Sequence, residues 1–215
     1  MQIQLNTLTD NILTHGFLSC HVFKKTLFHV LATPTPPCTT HPTLNGTLFS
    51  VVNPTSSTYP NYTCYAYTWV ATGSSATLSF FFRNDPGGWL LDDVQVYHGL
   101  TQLITNGGFE TGDLTGWNYS GGCSFFTGQV SSGSSARTGS YYYYDRCSTY
   151  GDTIAQTFST VPGDTYVMSF WLSDYGCCSP TAIANVTLIA AALTSMATST
   201  ATTCKRQIVL PIDTT

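Results

Sequence analysis

The chain is short of charge. Only 8% of its 215 residues are Asp, Glu, Lys or Arg, against about 25% in an ordinary soluble domain. Its surface must therefore be built from Ser, Thr, Asn, Gly and Tyr. Long solvated helices and coiled coils, which need Glu, Lys and Arg, are excluded. Seven basic residues stand against eleven acidic ones, a formal net charge of −4. The basic clusters are only Lys24-Lys25 and Lys205-Arg206, so no nucleic-acid partner is expected to bind by phosphate neutralisation. No apolar run approaches the ~20 residues of a membrane-spanning helix. What is present is aromatic and β-branched: 13% Phe, Trp and Tyr, enough in the middle of the chain to bury a core and exclude disorder there.

The usual signatures of catalysis are also missing. There is no G-x-S-x-G elbow and no H-E-x-x-H, and after the first 43 residues the only histidine is His98. Glu110 is the only glutamate, so an acid/base pair across a cleft would have to come from Asp113, Asp145, Asp152, Asp164 and Asp174, which sit in turn-like sequence and read as turn formers. A non-enzymatic protein is expected.

Eight cysteines in a polar, charge-poor chain point to an oxidising compartment. No C-x-x-C occurs and no His stands at zinc-finger spacing, so structural zinc is not expected. Cys123 and Cys147 flank a loop and a strand and are the first expected pair; adjacent Cys177 and Cys178 would serve different partners. Reduced, buried thiols are the competing reading. Asn45, Asn61, Asn118 and Asn185 open N-x-Ser/Thr sequons, in keeping with an extracellular glycoprotein. The start carries no secretory leader pattern, its apolar stretches being broken by His15, His21 and Lys24-Lys25. A fragment, or a wrongly placed gene start, is expected.

Residues 1–43 share no pattern with the rest and end in Pro34-Thr35-Pro36-Pro37, which neither helix nor central strand tolerates. They read as an irregular segment. Short β-type runs separated by Gly, Pro and Asn then begin: 47–52, 62–71, 76–83 and 89–97. The second half continues with 117–119, 141–144, 154–158, 166–172 and 184–189. Leu78, Phe80 and Phe82 share one face. Residues 190–215 are left unassigned. Regular short strands with turn signals between them predict an all-β sandwich.

Two motifs carry a resemblance. Asn106-Gly107-Gly108-Phe109-Glu110-Thr111-Gly112-Asp113, with Trp117 beyond it, and Trp89-Leu90-Leu91-Asp92-Asp93-Val94-Gln95-Val96 resemble the first and last strands of β-jelly-roll carbohydrate-binding modules of the galactose-binding-domain-like group. Their order is reversed here. Residues 44–98 resemble the closing half of one repeat and 101–189 the opening half of the next, as in a window cut from a tandem array of modules. The resemblance implies a jelly-roll β-sandwich completed in circularly permuted order from these half-repeats, with 99–105 as the bridge. Two unfinished half-sandwiches would instead expose strand edges. It also implies a structural Ca²⁺ held by Glu110 and Asp93, with Asp92 second, since alternation along a strand sends Asp92 and Asp93 to opposite faces. A solvated acidic edge is the plainer alternative.

Sugars dock on aromatic faces with a few planar hydrogen-bonding groups beside them. In Tyr141-Tyr142-Tyr143-Tyr144-Asp145-Arg146 a strand would turn two tyrosines outward and two into the core. Trp117, Tyr144, Asp145, Arg146 and Tyr150 are the candidate ligand surface; the same tyrosines equally suit a role stabilising the sheet. Trp69, Trp89 and Trp171 read as packing, and Arg83 with Asp85 as an ion pair in a turn. The function expected is a non-catalytic, extracellular carbohydrate- or glycoconjugate-binding module. The alternative is a structural or adhesive extracellular repeat without a sugar site.

Overall fold

A computed structural model of the chain describes residues 34–123, 126–147, 149–176 and 181–192. Cys20, Cys177, Cys178 and Cys204 lie outside these residues. Among these described residues twelve strands are formed in chain order: β1 (Thr40–Thr43), β2 (Gly46–Val52), β3 (Thr63–Val70), β4 (Ser75–Arg83), β5 (Gly88–His98), β6 (Thr101–Gln102), β7 (Asn118–Gly121), β8 (Gln129–Ser132), β9 (Tyr141–Asp145), β10 (Asp152–Ser159), β11 (Thr165–Tyr175) and β12 (Ile183–Ala190). No helix occurs among the described residues, and none is long and apolar enough to cross a membrane.

The strands make a two-sheet β-sandwich. One sheet runs β1-β3-β11-β5-β9-β8, with β6 added beside β5; the other runs β2-β12-β4-β10-β7. β4 shows why the layers form. Its alternation buries Ala76, Leu78, Phe80 and Phe82 and leaves the residues between them half-buried. Phe80 meets Phe170 of the facing sheet edge-on at 5.2 Å, and Phe82 stacks at 6.1 Å on Trp89. The turn between β4 and β5 carries the chain from one sheet to the other. There Arg83 pairs with Asp85 at 2.9 Å, as expected, and the Trp89 indole donates to the Arg83 carbonyl at 3.0 Å.

The two halves of the chain interleave. β12 and β10, from the second half, flank β4 of the first; β11 lies between β3 and β5. Neither half therefore builds a sheet of its own. Residues 89–97 and 105–111 are neighbours through the β5–β6 hairpin, and Val94 N donates to Gly107 O at 2.9 Å.

Three local differences from the sequence reading have physical causes. Thr40–Thr43 form β1 within the segment read as irregular, paired in parallel with β3 and tied to it by the Cys38–Cys64 disulfide. The Phe109-Glu110 stretch is a turn and not a strand. Asn106 and Phe109 adopt φ of +53° and +59°, and Phe109 drops into the core against Trp117 and Tyr143. β5 also bulges. Ser169 and Trp171 of β11 oppose Gln95 and Asp92, so β5 spends an extra residue there, and Asp93 takes φ +50°.

Candidate functional site

The outer face of the larger sheet carries an aromatic cleft. In β9 the alternation sends Tyr143 wholly into the core and turns Tyr142 and Tyr144 the other way. Leu90 of β5 and Tyr175 of β11 lie on that same outer face. The β2–β3 loop adds Tyr59, and the β8–β9 loop adds Ser135. These six residues line a cleft of about 220 Å³. Tyr175 stands edge-on to Tyr59 at 4.7 Å and to Tyr144 at 6.2 Å, while Tyr142 and Tyr144 tilt together at 6.4 Å. Aromatic pairs prefer such offset and edge arrangements, which hold the rings upright without filling the space between them.

Polar contacts fix the loops over this face. The Tyr59 hydroxyl meets Ser135 Oγ at 3.3 Å, and the Tyr62 hydroxyl donates to the Ser135 carbonyl at 2.8 Å. Burial pushes the Tyr62 hydroxyl well above its ordinary pKa, so it remains a donor. The β2–β3 loop is anchored at Asp174. Asp174 N donates to Thr58 Oγ1 at 2.7 Å, Tyr59 N donates to Asp174 O at 3.2 Å, and Ser57 Oγ donates to the same carbonyl.

Of the residues singled out as a ligand surface, the structure brings only part together. Tyr144 lines the cleft. Arg146 lies over the Tyr144 ring, 5.5 Å from its centroid, and over Phe126 at 5.2 Å. Trp117 is in the core, stacked on Phe109 at 5.6 Å with its indole donating to Asn106 O. Asp145 is fully buried, because it shares the inward parity of Tyr143. Tyr150 is exposed, packs against Gly122 and does not line the cleft. Trp171, read as packing, is half-buried on the outer face and carries Arg137 3.6 Å above its ring. Tyr59, Leu90, Ser135, Tyr142 and Tyr175 are not among the residues singled out from the sequence. Tyr175 follows from extending the outward parity of β11 beyond Leu172, whereas Tyr59 reaches the cleft by a long-range loop contact.

The acidic residues of the two motifs do meet, but on a loop. Asp92 Oδ2 accepts from the backbone of Arg137 at 2.8 Å and of Thr138 at 3.3 Å. Asp93 pairs with the Arg137 guanidinium and accepts from the Thr138 hydroxyl at 2.7 Å. Glu110 accepts from Ser140 N and Tyr141 N, both at 3.0 Å. A side chain added at Gly108 would lie 3.6 Å from Asp93 Oδ1 and 3.8 Å from both Asp92 Oδ1 and the Glu110 side chain. The expectation that Asp92 and Asp93 face apart is corrected: the bulge puts both on the 137–138 segment. Burial, and then the neighbouring Asp93 charge, push the Asp92 carboxyl up to about 7.

This arrangement fits a clamp better than a calcium cage. Ca²⁺ takes six to eight oxygens. Among the described residues, Glu110, Asp93 and Asp92 do not place one oxygen each within 4.8 Å of one another. Their oxygens are taken by N–H and O–H donors of residues 137–141 and, for Asp92 Oδ1, by Asp93 N at 2.7 Å, which an ion would have to displace. In this arrangement the three side chains do not fit the ion.

A different acidic pair is buried behind β9. Asp145 and Asp152 lie buried with their carboxyls hydrogen-bonded to each other, and Asp152 is next to the Cys123–Cys147 disulfide. Burial raises the Asp145 carboxyl to about 8, with Asp152 adding to it and the Cys147 backbone N–H opposing it. Touching, enclosed carboxyls lack the separation and the open cleft that glycoside hydrolysis needs. No family model, curated protein or solved structure matches this chain.

Proposed function

We propose that the chain is a non-catalytic carbohydrate-binding β-sandwich module whose ligand stacks in the Tyr59–Tyr142–Tyr144–Tyr175 cleft. The carrying observation is the lining itself. Four tyrosine rings stand around about 220 Å³ with one serine and one leucine, and none of the six lining residues is a carboxylate. Sugar rings offer apolar C–H faces to such rings and hydroxyls to Tyr and Ser oxygens, a match that needs no formal charge. The volume suits roughly one pyranose unit, so the reading favours recognition of a terminal or isolated sugar.

Two disulfides support an extracellular setting. The interleaving of residues 44–98 and 101–189 supports the reading of two half-repeats completing one jelly roll in permuted order, as a piece of a tandem array. A glycan array with the whole chain tests the function. Selective binding that weakens at least about tenfold in Tyr144→Ala and Tyr175→Ala, with melting temperature held, supports it. Uniform silence by a folded protein would favour a structural or adhesive repeat instead. Release of reducing ends from a bound glycan would overturn the non-catalytic part.

A further inference from the structure

Tyr142, Tyr144 and Arg146 follow one another at every second residue along β9 and just past its end. Tyr142 and Tyr144 line the cleft. Arg146 continues their row, its guanidinium 5.5 Å from the centre of the Tyr144 ring and 5.2 Å from that of Phe126. Tyr144 is seated over Gly88 of β5, where a side chain would run into its ring. Arg146 therefore stands at the rim of the cleft, against a ring whose position the sheet sets.

Its charge has no counterpart. The other two described arginines are ion-paired, Arg83 with Asp85 and Arg137 with Asp93, whereas Arg146 meets no carboxylate among the described residues. The carboxylates around residues 145–149 are engaged elsewhere. Asp85 also accepts from Thr149 N at 3.0 Å, and Asp145 is turned into the protein against Asp152. The Arg146 Nε is itself buried without a hydrogen-bond partner among the described residues. Leaving a buried donor bare is costly, and a charged one more so. A guanidinium held against aromatic rings has already lost rotamer freedom. It presents its remaining N–H groups as a planar fork, the geometry that takes an oxyanion in two parallel hydrogen bonds.

We propose that the sugar taken by the tyrosine cleft is an acidic one, a carboxylated or sulfated pyranose whose anionic group is held by Arg146. The inference rests on the sugar reading of the cleft and adds the class of sugar. A pyranose stacked beside Tyr144 carries its substituents at the ring edge, and one directed along β9 meets the guanidinium. None of the six lining residues is a carboxylate that would repel it. The whole chain carries a formal charge of −4 and offers polyanions no general attraction. Selectivity would come from one cation placed beside the stacking rings.

The test uses the whole, disulfide-bonded chain and matched sugars on an array: galacturonate against galactose, glucuronate against glucose, N-acetylneuraminyl-galactose against galactose, and a sulfated galactose against galactose. At least one acidic member should bind about tenfold or more tighter than its neutral partner, the size of one charge-assisted contact. The carboxylated and sulfated pairs separate the two sources of the anion, and a preference in either supports the inference. That preference should shrink with added salt, and methyl esterification of a bound uronate should abolish it. Arg146→Gln, at held melting temperature, should bring the acidic-to-neutral ratio to about one, and Arg146→Lys should retain only part of the preference. Should Arg146→Gln fail to fold, Arg146→Lys and the methyl ester carry the same test. A wild type that binds neutral sugars as tightly as acidic ones overturns the inference and leaves the stacking reading intact. An acidic preference that survives Arg146→Gln does the same. A folded chain that binds no sugar at all overturns both.

Discussion

Asp93 meets the Arg137 guanidinium where β5 breaks its alternation, and the same guanidinium lies 3.6 Å above the Trp171 ring of β11. One side chain thus ties the β8–β9 loop to two central strands at once. That loop also supplies Ser135 to the tyrosine cleft, so the clamp positions the site without touching its ligand. Replacing Arg137 by Ala removes a charge-assisted contact together with a cation–π contact and should destabilise by about 1–3 kcal/mol. Arg137→Lys should recover only part of this, because an ammonium lacks the planar stack. Denaturant unfolding of the three proteins measures it; equal stability of wild type and Arg137→Ala would remove the clamp from the account.

Gly139 offers a sharper probe of the same clamp. Its φ is +60°, and a Cβ there would run into the Glu110 carboxylate. Gly139→Ala should therefore cost about 1–3 kcal/mol through backbone strain, with the collision added. Removing the carboxylate relieves only the collision. The double substitution Gly139→Ala with Glu110→Ala should thus destabilise less than the two single changes summed, as a double-mutant cycle will read. Strict additivity would mean that the two residues do not press on each other.

How far the sequence speaks depends on whether a feature is local. The alternation of Leu78, Phe80 and Phe82 marks β4 because period two is a property of neighbouring residues, and nine of the twelve strands are legible in this way. β1, β6 and β8 are short and lack an apolar face, so nothing in their composition separates them from loop. The acidic seam was legible from its motifs, but its chemistry was not. A bulge at Asp93 overturns the alternation argument, and the loop donors that use up the oxygens lie at residues 137–141. In the cleft, the tyrosine run of β9 announced itself, whereas Tyr59 arrives on a loop whose path is fixed by hydrogen bonds to Asp174.

Trp117 separates core from surface function. It looks like a sugar-stacking residue in sequence, yet it packs between Phe109 and Phe80, at 5.6 and 6.0 Å. Trp117→Ala should cost about 3–5 kcal/mol of stability, the price of a large aromatic cavity. Glycan affinity per folded molecule should stay as it was. A variant of unchanged stability that loses binding would move Trp117 back to the ligand surface.

Asp174 should make stability depend on pH in the direction opposite to that of an ion-paired carboxylate. Its side chain is buried at the end of β11, takes one hydrogen bond from Asn84 Nδ2 at 2.8 Å on Oδ1, and leaves Oδ2 without a partner among the described residues. Burial lifts its carboxyl from 3.8 to about 6, against the opposing Asn84 contact. The folded chain therefore holds this proton more tightly than the unfolded chain does. The resulting stabilisation is complete below the unfolded value of 3.8 and is lost as pH rises through about 6. Asp174→Asn keeps an oxygen for Asn84 and removes the charge. It should melt higher than wild type at pH 7.5, with the gap closing as pH falls towards 4. Parallel melting curves for the two proteins across this range would show that the Asp174 carboxyl is solvated in the folded chain, and the desolvated carboxyl would have to be abandoned.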